Sequence, residues 1–103
     1  MAHQVEVPVG KRVELPVSVG FNVSGMQFVS RIFTTTNANA PLITSWDVFF
    51  DSDGRDGELV LVLPASRTAP IKQTTGYMDL MRMVGGSPLY IFRNLEVAFL
   101  PYS

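Results

Sequence analysis

The sequence predicts an all-β protein, a two-sheet antiparallel β-sandwich of immunoglobulin-like type carrying one short helical turn. Three observations lead there. Apolar residues alternate with polar ones at a period of two along most of the chain, which marks half-buried strands. Eight glycines and seven prolines punctuate the 103 residues at short intervals, as turns between strands require. The spacing of three and four that an amphipathic helix needs is missing everywhere except for one turn.

Val5, Val7 and Val9 alternate with Glu6 and Pro8, forming a short N-terminal arm over residues 1–9, and Gly10-Lys11 turns or kinks the chain after it. Val13, Leu15, Val17 and Val19 repeat the alternation against Arg12, Glu14, Pro16 and Ser18. Pro16 donates no ladder hydrogen bond, so this segment belongs at a sheet edge. Met26, Phe28, Ser30 and Ile32 make one face of the next strand, and Gln27, Val29, Arg31 and Phe33 the other. Arg31 reads as an outward-facing arginine laying its stem on apolar surface.

After the polar loop Thr34 to Pro41, the stretch Leu42 to Phe50 is rich in β-branched and aromatic residues and reads as a long strand, with Trp46 as its core anchor. Asp51 to Gly57 is a turn, and Leu59 to Leu63 is apolar on both faces, as a central strand would be. Pro64 ends that strand and suits the first turn of a helix, limited to Ala65 to Ile71 by Pro70. Tyr77 to Val84 is the next strand, Gly85-Gly86-Ser87-Pro88 a turn, and Leu89 to Phe92 and then Leu95 to Phe99 complete the set. Two sheets let strands with one apolar face coexist with strands that have two, whereas a small closed barrel would ask for more regular alternation. A chain of this length makes one domain, spanning residues 1–103, and neither a repeat nor a linker divides it.

Composition excludes several kinds of function. Zero cysteines close off disulfides, thiolate metal sites and thiol catalysis, and favour a reducing compartment or an assembled particle. Eight Lys and Arg against nine Asp and Glu give a net charge of −1, too little cation to neutralise a run of phosphates, so nucleic acid is not an expected partner. Met1-Ala2-His3-Gln4 leads straight into Val5-Glu6-Val7 without a signal-peptide pattern, and the apolar run Leu59 to Leu63 is far short of the roughly 20 residues of a membrane helix. No membrane is expected.

No catalytic constellation is visible. The single histidine, His3, stands in the terminal arm, where Ser-His-Asp chemistry has nothing to orient it. Gly85-Gly86 lacks the strand, helix and lysine context of a phosphate loop. Asp47, Asp51, Asp53, Asp56 and Glu58 crowd five carboxylates into twelve positions, a density that calcium favours. An EF-hand counted from Asp51 nevertheless has Arg55 at its fifth position, Asp56 at its sixth and Val62 at its twelfth, so the ligand pattern fails. The expectation is no enzyme, no metal and no cofactor, with the acidic cluster a solvated hairpin tip.

The order of features, in contrast, is informative. The block Val-Pro-Val-Gly-Lys-Arg-Val-Glu-Leu-Pro-Val-x-Val from Val7 to Val19 is followed by Val23-Ser24-Gly25 leading into Met26 to Ile32, then by Trp46 in a central strand. Gly57 to Leu63, the turn Pro64 to Ala69, and Gly76-Tyr77-Met78-Asp79-Leu80 come after it. In this succession the chain resembles the small LtfC-like β-sandwich family of virion structural proteins in tailed bacteriophages. The resemblance implies a module of a head, neck, tail or baseplate that docks on other virion proteins, major capsid or tail proteins, in a multi-copy symmetric assembly formed in the host cytoplasm. The sequence ends at Ser103 without a fibre-like extension, which favours a head decoration or minor capsid protein, or a minor tail subunit, over a receptor-binding protein.

Two groups are candidate interface residues. Val5, Val7 and Val9 could add a strand to a neighbour's sheet or form an ordinary edge of their own sandwich. Tyr90 and Phe92, with Tyr102 at the terminus, could be exposed aromatic anchors or core cover.

Overall fold

A computed structural model describes residues 5–37, 39–50 and 55–101. His3, Asp51, Asp53 and Tyr102 lie outside them. The elements in chain order are β1 (Val5–Pro8), β2 (Val13–Ser18), β3 (Gln27–Phe33), β4 (Leu42–Phe50), β5 (Glu58–Leu63), the single helical turn α1 (Ala65–Thr68), β6 (Thr75–Val84) and β7 (Ser87–Leu100).

The protein is all-β, and its seven strands form one mixed sheet in the order β1-β7-β6-β3-β4-β5-β2, curled nearly into a barrel. Two features depart from an all-antiparallel pair of sheets. First, β1 pairs with β7 in parallel, Val5 beside Val97 and Pro8 beside Leu100. Second, β4 is shared: Leu42 to Trp46 run beside β3, and Asp47 to Phe50 run beside β5, so the sheet is continuous through this strand. Nine residues give β4 the length to serve both neighbours in succession.

Bulges reconcile this curvature with imperfect alternation, because an extra residue bends a strand and resets which face the following side chains take. Ile32 pairs with Thr44 but Phe33 with Leu42, so Ile43 is extra and packs against the core. The last strand also differs from expectation. Leu89 to Phe92 and Leu95 to Phe99 are parts of one strand of 14 residues, interrupted only by bulges.

The core is built from the inward faces: Val7 of β1, Ile32 of β3, Trp46 of β4, Leu59, Leu61 and Leu63 of β5, Met78 and Leu80 of β6, and Val97 and Phe99 of β7. Val23, from the β2–β3 connection, is fully buried with them. Gly76 is a point of close packing among the core side chains. A Cβ there would stand 2.8 Å from Ile32 Cγ2, 3.0 Å from Phe99 and 3.1 Å from Ile43, so β6 can lie under these three side chains only without a side chain of its own.

The helical turn ends at Thr68, shorter than the stretch Pro64 and Pro70 enclose. The Arg67 and Thr68 N–H groups donate to the Pro64 carbonyl, and Ala69 N–H donates to Ala65. Its role is to hold the kink between β1 and β2. The fully buried Thr68 hydroxyl accepts from Gly10 N–H at 3.0 Å and donates to the Lys11 carbonyl at 2.9 Å. Gly10 takes φ +86°, the left-handed conformation that this change of direction requires.

Candidate functional site

The outer face of β3, β6 and β7 carries the polar chemistry of the molecule. In β3, Arg31 stands opposite Asp79 of β6, and Ser30 opposite Leu80. Side-chain bonds reinforce the β3–β6 pairing here. Ser30 Oγ donates to the Asp79 carbonyl at 2.6 Å, Arg31 N–H donates to Asp79 Oδ1 at 3.0 Å, and Arg31 Nη2 donates to Asp79 Oδ2 at 2.8 Å. Asp79 is buried, and these contacts offset the cost of taking a carboxylate out of water. Hydrogen bonding to Asp79, reinforced by its charge, raises the Arg31 pKa above its ordinary value, although burial pulls the other way.

On the far side of Asp79, β7 bulges. Met78 pairs with Leu95 and Leu80 with Phe92, so Arg93 and Asn94 together face Asp79. Asn94 takes φ +57°, a left-handed conformation that asparagine tolerates better than most residues. Arg93 lays its guanidinium over the Tyr90 ring, 4.5 Å from the centroid, and Arg31 lies over Phe33 at 4.9 Å. Between them opens a cavity of about 250 Å³ walled by Arg31, Phe33, Tyr77, Tyr90, Arg93 and Asn94, with the β3–β4 loop closing one side.

A second, apolar cavity of about 350 Å³ lies where β3 and β4 diverge, walled by Met26, Phe28, Val29, Val48, Phe50 and Met83. It follows from β4 leaving β3 to pair with β5.

The residues singled out in the sequence fall in different places. Val7 is fully buried, and Val5 and Val9 pack against the same core, so the arm is paired within its own sheet. Trp46 is buried at 4% exposure, with its indole N–H lacking an acceptor. Tyr90 and Phe92 would share a face in a regular strand. The pairing instead runs from Leu80–Phe92 to Met81–Tyr90, leaving Ile91 extra, and this separates them: Tyr90 lines the outer cavity while Phe92 packs on the core.

Arg31 is more than a surface arginine, since it neutralises a buried carboxylate 48 positions away. The signal that could have found the pair is Asp79 between the apolar Met78 and Leu80. A second ion pair, Arg67 with Asp47, also reaches the Ser45 carbonyl at 2.9 Å and ties α1 to β4.

Among the described residues no three His, Asp or Glu gather as metal ligands, and no helix is long and apolar enough to cross a membrane. The structure thus offers a polar, arginine-bearing cavity on an outer face, a second cleft at the other end of β3, and two sheet edges. No family model matches the chain, and no characterised protein compared with it does.

Proposed function

We propose that this chain is a structural module of a tailed-bacteriophage virion, a head decoration or minor capsid protein that docks on its neighbours through sheet edges. The single observation that supports this reading is the pair of open edges, β1 and β2, at the two ends of the strand order. An open edge presents unpaired main-chain groups that a neighbouring strand can satisfy. Each edge carries one proline, Pro16 inside β2 and Pro8 at the end of β1; β1, where the proline is terminal, is the proposed contact. Because the Val7 side chain is committed to the core, β1 would offer a neighbour its main chain and its rim rather than Val7 itself.

The ordered resemblance from Val7 to Leu80 supplies the phage assignment, and the reading keeps the two-sheet sandwich of that family, with β4 as the strand common to both layers. Exposed Leu42, Phe49 and Leu89 add apolar surface of the kind that docking covers. A module of this size makes modest contacts singly, so symmetric repetition would hold it through avidity. In this reading the protein is no enzyme, its partners are other virion proteins, and it is placed in the virion. A tail, neck or baseplate position would use the same edges; a carbohydrate- or receptor-binding module is the more distant alternative.

Mass spectrometry of gradient-purified particles tests the proposal. The expected result is a multi-copy virion component. Absence from particles, with abundance in infected cells, would overturn it.

A further inference from the structure

The cavity between β3, β6 and β7 has a charge and a geometry that select a ligand. Of its charged walls, Asp79 has both oxygens occupied, Oδ1 by the Arg31 main-chain N–H and Oδ2 by Arg31 Nη2. Arg31 is thereby neutralised. Arg93 is the surplus cation, and among the described residues no carboxylate pairs with it. Among the described residues it stands as an unneutralised cation at the mouth of a polar cavity.

The Arg93 guanidinium lies over the Tyr90 ring, and its N–H groups remain available to a planar acceptor able to take two hydrogen bonds. The bulge fixes this arrangement, because Asn94 at φ +57° sets Arg93 outside the regular alternation. Three considerations narrow the ligand. One surplus cation is too few for a run of phosphates. The rings of Phe33 and Tyr90 each have a guanidinium over one face, which reduces the stacking platform a sugar would use. A volume of about 250 Å³ lies just below the usual range of small-molecule pockets and admits an acidic side chain with room to spare.

We propose that this cavity receives the carboxylate of an aspartate or glutamate side chain presented by a partner protein, with Arg93 as its principal ligand and Tyr77, Tyr90 and Asn94 as the polar surround. The partner being a virion protein rests on the function proposed above; the carboxylate site does not.

The test is a nuclear magnetic resonance titration of the full-length protein with N-acetyl-glutamate α-amide, with N-acetyl-glutamine amide as the neutral control and glucuronate as the sugar carboxylate. The expected result is saturable shifts of the Arg93, Asn94 and Tyr90 amides with the glutamate compound. These should be weakened about tenfold or more in Arg93→Gln and partly kept in Arg93→Lys, as a bidentate charge-assisted contact requires. Arg93 is exposed, so the dispersion of the variant's spectrum should match that of the wild type. Equal shifts with the glutamine amide, undiminished shifts in Arg93→Gln, or no saturable shift would overturn the site, and tighter binding of glucuronate would overturn the peptide assignment. Carboxylate binding in a protein missing from virions would remove the virion role alone, and a virion component without binding would remove the site alone.

Discussion

Arg31 and Asp79 meet twice: one carboxylate oxygen accepts from the Arg31 main-chain N–H at 3.0 Å, and the other from its Nη2 at 2.8 Å. The pair joins β3 to β6 at a point where β7 is bulged away. Arg31→Ala leaves the buried Asp79 carboxylate with only a main-chain N–H and should cost about 2–4 kcal/mol, whereas Asp79→Ala leaves a guanidinium that is one-third exposed (33%) and should cost less. The double variant should cost much less than the sum. Urea denaturation of the three proteins gives the coupling, and additive losses would show that the two groups act separately.

Thr68→Val keeps the shape of the side chain but leaves Gly10 N–H without its acceptor and the Lys11 carbonyl without its donor. A loss of about 1–3 kcal/mol is expected. Hydrogen exchange should quicken first at Gly10 and at the β1 amides, because the kink between β1 and β2 is what the hydroxyl holds. Uniform quickening over all strands would instead mean a global effect.

Gly76→Ala inserts a methyl group among Ile32, Ile43 and Phe99. Overpacking of this kind costs about 1–3 kcal/mol. The paired variant Gly76→Ala with Ile43→Val makes room at one of the three contacts, and thermal melts should show it recovering part of the loss.

Trp46→Ala should cost about 3–5 kcal/mol, as removal of a buried aromatic side chain does. Trp46→Phe should cost less than half of that, because the indole N–H it deletes has no acceptor to lose. Tryptophan emission in the native protein should be shifted to the blue and resist quenching by iodide. Ready quenching would place the ring at the surface.

Much of the fold was legible because the alternation is physical. Val13, Leu15 and Val17 point inward for the same reason in the sequence as in the sheet, and Leu59 to Leu63 read as central because both faces of β5 are covered. Bulges were harder to see. Arg93-Asn94 looked like the end of one strand and the start of another, since alternation cannot distinguish a turn from an extra residue in a continuing strand. The parallel pairing of β1 with β7 and the division of β4 between two neighbours depend on partners distant in sequence, which a local pattern does not encode.

The cavity was less legible than the fold. Tyr90 reads in the sequence as either an exposed anchor or core cover, and nothing near it in sequence reveals Arg31 or Asp79. Their juxtaposition comes from strand register, and only the oddity of Asp79 between Met78 and Leu80 signalled that a partner had to exist.

The parallel seam between β1 and β7 also governs how the chain acquires its structure. Val5 is made before β2 to β6 and its neighbour Val97 lies in β7, so β1 must wait for its partner while all the strands between them are translated. Closing so long a loop is a slow step, and a topology dominated by such distant pairs folds in milliseconds to seconds rather than microseconds. During that wait the valines of β1 have no sheet to join, and the nascent chain must keep them from other company until its last strand arrives.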